Sequence, residues 1–571
     1  GLLSASCAGH GGAVPPVGSS AGQSKTIGAG STRVASVATA PVGWATTATQ
    51  TFGLANASDL GALAGSTPLT VRLGLQMRNP SQLQSLVASG QTVDNGTFMN
   101  EYAPTAQQVA EVTAYLQSQG FSNISAEPDN LLISADATAA VVQKAFDTTL
   151  HSFSQNGANV FANIAPAYVP QALSRTVLAV LGLNTAAKVK AAPITGCFVG
   201  GTGSAPCVRA DYNPSTYWKT YDVGNTPTGS NSTIAVMAEG NVSSIIPDLR
   251  IAEKNFGLPQ VPASVVQVGL PSPDTAGNDE WDLDTQASTG IAGNVKHLYI
   301  YATTSLTDSD IALEYSHWVT QDVAQIGNSS FGECEYAPYL DGSMLVDDEI
   351  MLEGAAHGQT MFASSGDTGS FCSVGTPNGV PAGAPLVEYP AASPYIVAVG
   401  GTTLLSNTDG SYEGEASWNA GGGGVSQFEY SPYWEQGIQP TSASLPVSVR
   451  GVPDVAMDAD PNTGADVYVA GTDTVIGGTS LSSPLSAGVY ARLQTAHGNR
   501  LGFAAPAFYK IYAENPTAGA VVTGPPPTEP IGGFHDILSG ANGAYTALPR
   551  YDYTTGLGSF DIAQMNAAIG H

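Results

Sequence analysis

The chain has 571 residues, with 66 Gly, 37 Pro, 43% hydrophobic and 11% charged residues. It is too long for one ordinary core and too apolar for a disordered chain, so two or three turn-rich domains are expected. The formal net charge of −28 excludes nucleic acid as a partner, since a phosphate backbone would be repelled. That charge is unevenly placed. Residues 1–190 hold eight basic and eight acidic residues, and the remaining 10 basic and 38 acidic residues carry all of it. The break places a domain boundary near Lys188–Lys190. The sequence pI of about 4.3 suggests a working pH near or below that value, where most carboxylates would be neutral.

Residues 1–60, rich in Gly, Ala, Ser and Thr, read as a leader with little structure of its own. The start at Gly1, followed by Leu2 to Cys7, fits the tail of a trimmed signal peptide, so secretion is expected. No run of 18 apolar residues follows, so no membrane span is expected. Leu69 to Leu75 alternates as a half-buried strand, Ser81 to Ser89 reads as a short helix, and Thr105 caps a helix ending at Gly120. A strand over 130–134, a helix from Asp136 to Phe146 and a hairpin over 148–164 complete a compact α+β domain over 61–190.

A linker containing a cleavage region is expected over 191–209, with the maturation point between Lys190 and Arg209. Cys197 and Cys207 close a short loop there and could form one disulfide, with Cys334–Cys372 as a second and Cys7 left over. No C-x-x-C pair is present, which argues against zinc. From 210 onward, short apolar runs alternate with helical segments. The runs are Thr233 to Glu239, Val265 to Leu270, Val295 to Ala302, Val323 to Phe331, Thr360 to Ser364 and Ile396 to Gly400. Such alternation implies the α/β class with a buried parallel sheet, whose ligand sites lie at the carboxyl ends of strands.

Three stretches near those ends carry chemistry. Glu280 and Asp284 are four apart on a helix start, so both carboxylates share a face and a proton, although an acidic helix N-terminus alone would explain them. Asp367 sits in the turn Ser364-Ser365-Gly366-Asp367, where an ordinary Asx-turn is the usual reading. Gly478-Thr479-Ser480 precedes a helix with Pro484 in its first turn, a place that presents a hydroxyl as readily as it caps a helix. Together they suit a hydrolase working in acid. A histidine base, pKa about 6.5, would be protonated at about pH 4, whereas a glutamate near about 4.3 stays poised. Ser480 would attack a carbonyl, Glu280 take its proton, Asp284 orient Glu280, and protonated Asp367 donate to the oxyanion. Asp458 and Asp460 are left structural.

The three motifs, in this order, resemble the sedolisin family of serine-carboxyl peptidases. The segment Asn100 to Thr105 resembles the family's activation prosegment, and Pro390 to Ser393 with Gly400-Gly401-Thr402 is also similar to it. The resemblance implies a subtilisin-like parallel-sheet catalytic domain over 210–571, preceded by a ferredoxin-like α+β prodomain. It implies an endopeptidase or tripeptidyl-peptidase acting on protein and peptide substrates. It also implies a zymogen, inhibited by its own prodomain and self-cleaved in acid, and a monomer is expected. Glu239 matches a glutamate that extends the carboxylate network in one branch of the family. The C-terminal segment resembles the family's site for one calcium ion, Ca2+, with Asp536, Ile537, Leu548, Arg550 and Asp552 as ligands. Leu548 and Arg550 stand where the family usually has glycines. Two rivals remain: a neutral or alkaline subtilisin-type peptidase using a histidine, for which His357-Gly358 is the candidate, and an inactive binding protein on the same fold.

Overall fold

The expected apolar runs assemble into one sheet. Ala263–Gln267, Val295–Thr303, Gly229–Glu239, Ile326–Ser329, Thr360–Ser364 and Val397–Ser406 lie side by side and parallel. Val455–Asp458 pairs parallel with the last of these, and Tyr412–Ser417 closes that edge antiparallel. The molecule is a computed structural model that describes residues 39–54, 56–191, 193–195, 212–372, 383–439, 449–514 and 530–569. Strands such as Ile234 to Ala238 are wholly buried, which is why they read as continuous apolar runs rather than alternating ones. Two helix pairs cover the sheet: Asn278–Ala292 with Thr479–Ala496, and Asp308–Gln321 with Ser343–His357. His357 ends its helix against Gly358, which takes the left-handed conformation as the C-cap.

The N-terminal region forms a four-stranded antiparallel sheet in the order Ser122–Ala126, Leu132–Thr138, Pro68–Leu75, Val177–Leu181. With helices Ala106–Gln119 and Ala139–Ala145 this is the ferredoxin-like βαββαβ arrangement. Leu69, Val71 and Leu73 point inward, against Val112, Leu116, Val142 and Phe146. Thr105 and Gln108 form the capping box at the helix start, and Gly120 stops it with φ 95°. The hairpin spans Leu150–Gln155 and Ala158–Asn163, turning through Asn156 and Gly157, both at positive φ.

Two expectations need correction. The leader does not run unstructured to residue 60. Trp44–Thr46 pairs with Tyr168–Pro170, and Ser58–Ala62 pairs with Leu150–Ser154. Neither segment has an apolar alternation; their pairing comes from partner strands about 90 or more residues away in the chain. The helix expected from Asp136 begins at Ala139 instead. Asp136 is held in a strand, where its carboxylate accepts from the Thr70 hydroxyl (2.6 Å) and the Asn123 amide (2.9 Å).

The N-terminal sheet is joined to the Asp308–Gln321 and Ser343–His357 helices by polar contacts. Arg72 pairs with Asp310 at 2.9 Å and donates to Ser309 at 2.6 Å. The Met77 amide donates to Glu349 at 2.7 Å, and Asn184 donates to Asp341, at the end of the neighbouring Tyr336–Asp341 helix, at 3.2 Å. Cys334 and Cys372 are joined, with their Cα atoms 5.3 Å apart. Cys7, Cys197 and Cys207 lie outside the described residues.

Candidate active site

Glu280 and Asp284 occupy the first turns of the Asn278–Ala292 helix, and neither has any solvent exposure. Ser480 lies in the first turn of the Thr479–Ala496 helix, which therefore starts earlier than the small-residue run alone suggests. The two helices approach closely because Gly488 has no side chain: a Cβ there would overlap the Ser288 carbonyl. Pro484 falls inside the helix rather than in its first turn. It has no N–H to give the Ser480 carbonyl, and the Ser330 hydroxyl stands 3.4 Å from that oxygen.

Ser330 lies just past the Ile326–Ser329 strand and donates to Asp284 Oδ1 at 2.6 Å. The Asn328 amide donates to Ser330 Oγ at 3.0 Å, and Ser483 donates to Asn328 at 2.7 Å. Asp284 Oδ2 and both Glu280 carboxylate oxygens are buried without a regular hydrogen bond, although the Ser480 side chain acts on Glu280 as a hydrogen-bonding neighbour. Burial pushes the Glu280 carboxyl well above the usual range, and the Asp284 charge pushes it further. Burial raises Asp284 likewise, while Ser330 and Asn328 favour its charged form. Such a pair holds one proton between its members rather than two charges.

Asp367 follows the Thr360–Ser364 strand. Its Oδ1 accepts from the Thr479 amide and hydroxyl, both at 2.8 Å. Burial pushes its carboxyl up to about 6 against those two donors. Gly478, with φ 107°, leaves room for the other oxygen: a Cβ there would lie 2.7 Å from Asp367 Oδ2. Asp367, Thr479, Ser480 and Ser330 line a cavity of about 270 Å³, together with Gly332, Glu333, Cys334, Glu388 and two residues of the N-terminal region's tail, Lys188 and Lys190. That tail crosses the cleft. Lys190 exchanges both backbone hydrogen bonds with Gly332 (2.9 and 3.2 Å), and Ile194–Thr195 pairs antiparallel with Ile476–Gly477, just ahead of Ser480.

The other sequence candidates lie elsewhere. Glu239 is buried, and the groups acting on it are Asp274, Lys188 and Asp310 rather than the Glu280–Asp284 pair. Among the described residues no histidine lines the cavity. His357 packs edge-on against Phe98, His317 pairs with Glu127 at 3.3 Å, and His535 stacks on Tyr412. Asp458 accepts from Tyr217 and Thr463, and Asp460 from Thr403, both as structural acceptors. Asn328, Ser330 and Thr479 were not singled out in the sequence. A polar Asn within an otherwise apolar sheet strand, with serines at its end, was the available signal.

In the C-terminal segment, Asp536 accepts the Arg550 N–H on both oxygens (3.0 and 2.9 Å), and Asp552 accepts from Leu548 N–H at 2.9 Å and Thr554 N–H at 2.8 Å. Burial raises the Asp536 carboxyl and the nearby Asp552 charge adds to that. Among the described residues no cationic side chain pairs with either acid, and no group of three His, Cys, Asp or Glu side chains converges. The Asp552 and Arg550 charges act on Asp536 in opposite senses, and two neighbouring carboxylates suit a hard ion where backbone carbonyls complete its shell.

Two family models match: the pro-kumamolisin activation domain over residues 55–186 and the subtilase family over 274–511. Sedolisin of Pseudomonas sp. (strain 101) is 35% identical, over 92% of this chain and 92% of its own. Xanthomonalisin of Xanthomonas sp. (strain T-22) is 34% identical, over 88% of this chain and 66% of its own. A solved structure of Pseudomonas sedolisin complexed with two molecules of pseudo-iodotyrostatin superposes with a TM-score of 0.57, at 35% identity, covering 64% of this chain and 99% of that one.

Proposed function

The chain belongs to the sedolisin family of serine-type peptidases, with an activation prodomain and a subtilisin-like domain, and from that premise we propose an acid-active enzyme built on Ser480, Glu280, Asp284 and Asp367. The observation that carries the reading is the meeting of a helix-start serine with a proton-sharing carboxylate pair and a separate, half-buried aspartate. Ser480 Oγ attacks the peptide carbonyl and passes its proton to Glu280, whose oxygens have no competing partner. Asp284, fastened by Ser330, keeps the proton the pair already shared, which leaves Glu280 able to accept the one from Ser480, and it fixes Glu280 in place. Asp367 is protonated below about pH 6, so its free oxygen donates to the developing oxyanion. Glu280 then returns the proton to the leaving amine, and water repeats the sequence on the acyl-enzyme.

The same cleft explains latency. The tail from Lys188 to Thr195 occupies the path a peptide would take past Ser480, attached on both sides. Maturation would cut beyond Lys190, in a linker most of which lies outside the described residues. The Cys334–Cys372 disulfide favours an oxidising destination, which supports secretion. No helix among the described residues is long and apolar enough to cross a membrane. A calcium ion would be held by the Asp536 and Asp552 carboxylates and the carbonyls of Ile537, Leu548 and Arg550. It would tie the C-terminal loop together, without a part in the chemistry.

Peptidase assays at about pH 4 and about pH 8, before and after acid incubation, test the reading. Cleavage confined to acid, and lost together with self-processing in Ser480→Ala, is expected. Activity confined to alkaline pH would refute the carboxylate mechanism, and activity at neither pH would point to the binding-protein alternative.

A further inference from the structure

We propose that Asp282 is a positioning residue: through Asp248 it fixes the hairpin along which the C-terminal half of the peptide lies when it is cut. The inference rests on the peptidase reading above. Successive side chains of a helix turn by about 100°, so residues two apart point about 160° away from each other, and residues four apart share a face. The Asn278–Ala292 helix therefore has two working faces. Glu280 and Asp284 meet Ser480 and Ser330 on one of them. Asp282 and Gln286 occupy the opposite one, against the hairpin Ala465–Val469 with Thr472–Gly477, whose second strand runs straight into Gly478 and Ser480.

Gln286 grips this hairpin directly. Its amide donates to the Tyr468 carbonyl and its oxygen accepts the Tyr468 N–H, both at 2.8 Å. Asp282 reaches it through a relay. Asp248, on the helix Ile245–Phe256, accepts the N–H groups of Ala470 and Gly471 at 3.0 and 2.8 Å. These are the two turn residues, at φ 48° and 75°, and the Cβ of Ala470 disfavours that left-handed conformation. Both acids of the relay are buried. Neither Asp282 oxygen meets an N–H or hydroxyl group among the described residues, and Asp248 is its hydrogen-bonding neighbour. An acid in that position can join the other only by keeping its own proton. Burial, and then the Asp248 charge, push the Asp282 carboxyl up to about 9, so it stays a donor throughout the acid range.

The chain's own tail shows what the hairpin carries. Lys190 pairs with Gly332 on one side of Ser480, and Ile194–Thr195, later in the tail, pairs with Ile476–Gly477 on the other. A peptide on this path lays the residues that follow the cut along the Thr472–Gly477 edge, as an added strand. The relay from Asp282 sets where that edge stands relative to Ser480. One helix thus holds the proton-accepting pair and, on its other face, the rail for the leaving half of the substrate.

The test uses acid-matured enzyme and two peptides that share one N-terminal half, one running several residues past the cut and one ending a single residue past it. Asp282→Leu removes the donor at similar volume. It should raise KM for the long peptide about 10-fold, with kcat within about twofold and the KM of the short peptide unchanged. Asp282→Asn, whose amide can donate to Asp248 from the same place, should restore the wild-type KM. Asp248→Ala should reproduce the loss, and adding it to Asp282→Leu should raise KM no further, since the two residues act as one relay. A merely structural role would lower kcat for both peptides alike and leave both KM values in place, and that result overturns the proposal. So does a long-peptide KM unchanged in Asp248→Ala, which decides the matter even if Asp282→Leu fails to fold. A wild-type enzyme that cleaves neither peptide overturns the peptidase reading and the relay with it.

Discussion

Replacing Asp129 by Asn should flatten the pH dependence of zymogen stability, because this buried acid sits where the prodomain meets the peptidase domain. Asp129 is 1% exposed; its Oδ1 accepts the Leu131 N–H at 2.8 Å, and Oδ2 lies 3.4 Å from the Ser316 hydroxyl. Glu353, also 1% exposed, hydrogen-bonds with it from the Ser343–His357 helix. Burial raises the Asp129 carboxyl from 3.8 to about 6, outweighing those bonds. A raised folded-state value means the acid contributes stability that is full below about 3.8 and lost as pH rises through about 6. Two units at about 1.36 kcal/mol each give roughly 3 kcal/mol. Asn keeps an acceptor for Leu131 and Glu353 but cannot ionise. In a Ser480→Ala background, which prevents self-cleavage, thermal unfolding would be followed from about pH 3.5 to about pH 7.5 with and without the substitution. Relative to its parent, the Asn variant should gain about 3 kcal/mol across that range, roughly 2–4 °C in Tm for a chain of this size. Parallel curves, or a variant that loses ground as pH rises, would refute the assignment of that pH dependence to Asp129.

Two further outcomes are expected. Gly478→Ala should lower kcat by about 100-fold with little change in KM, since its Cβ would crowd Asp367 Oδ2 and its φ of 107° disfavours any side chain; steady-state kinetics at acid pH check this, and an unchanged kcat would remove Asp367 from the oxyanion site. Stripping divalent metal should lower Tm, with calcium at 100–1,000 times its Kd restoring it through about 3–4 kcal/mol of stability. Asp536→Asn should abolish the restoration, and a Tm indifferent to chelation would dismiss the ion.

The sheet was legible because its strands are buried on both faces, and Ile234 to Ala238 cannot be read as anything but interior. Glu280 with Asp284 was legible for a similar reason, since helical spacing alone puts both on one face. The pairing of Ser58–Ala62 was not, because its residues are mostly exposed and its register is set by a strand far along the chain. Ser330 was missed because nothing in its local sequence announces that Pro484 leaves the Ser480 carbonyl without its helical donor. Glu388 was missed because a carboxylate becomes a cleft residue only when two distant glycines, Gly332 and Gly366, make room for it. Glu239 shows the converse. It ends a buried strand near the right place, yet the charged groups acting on it are Asp274, Lys188 and Asp310 rather than Glu280 and Asp284.

The contact between prodomain and peptidase domain bears on how the zymogen opens. Arg72–Asp310 and Glu127–His317 are ion pairs across it, 2.9 and 3.3 Å long. Partly exposed pairs of this kind contribute about 0–1 kcal/mol each. Asp129 and Glu349 tie the contact to pH, for burial raises them to about 6 and about 8, and both are bonded across or beside the contact. Protonation in acid removes the cost of burying their charges. Acid therefore tightens this contact through those two carboxyls. Opening must then come from cutting the tail that Lys190 and Ile194 hold across the cleft, and not from charge repulsion driving two intact domains apart. Cleavage should precede dissociation at every acid pH, and an uncut Ser480→Ala zymogen should keep its prodomain docked there.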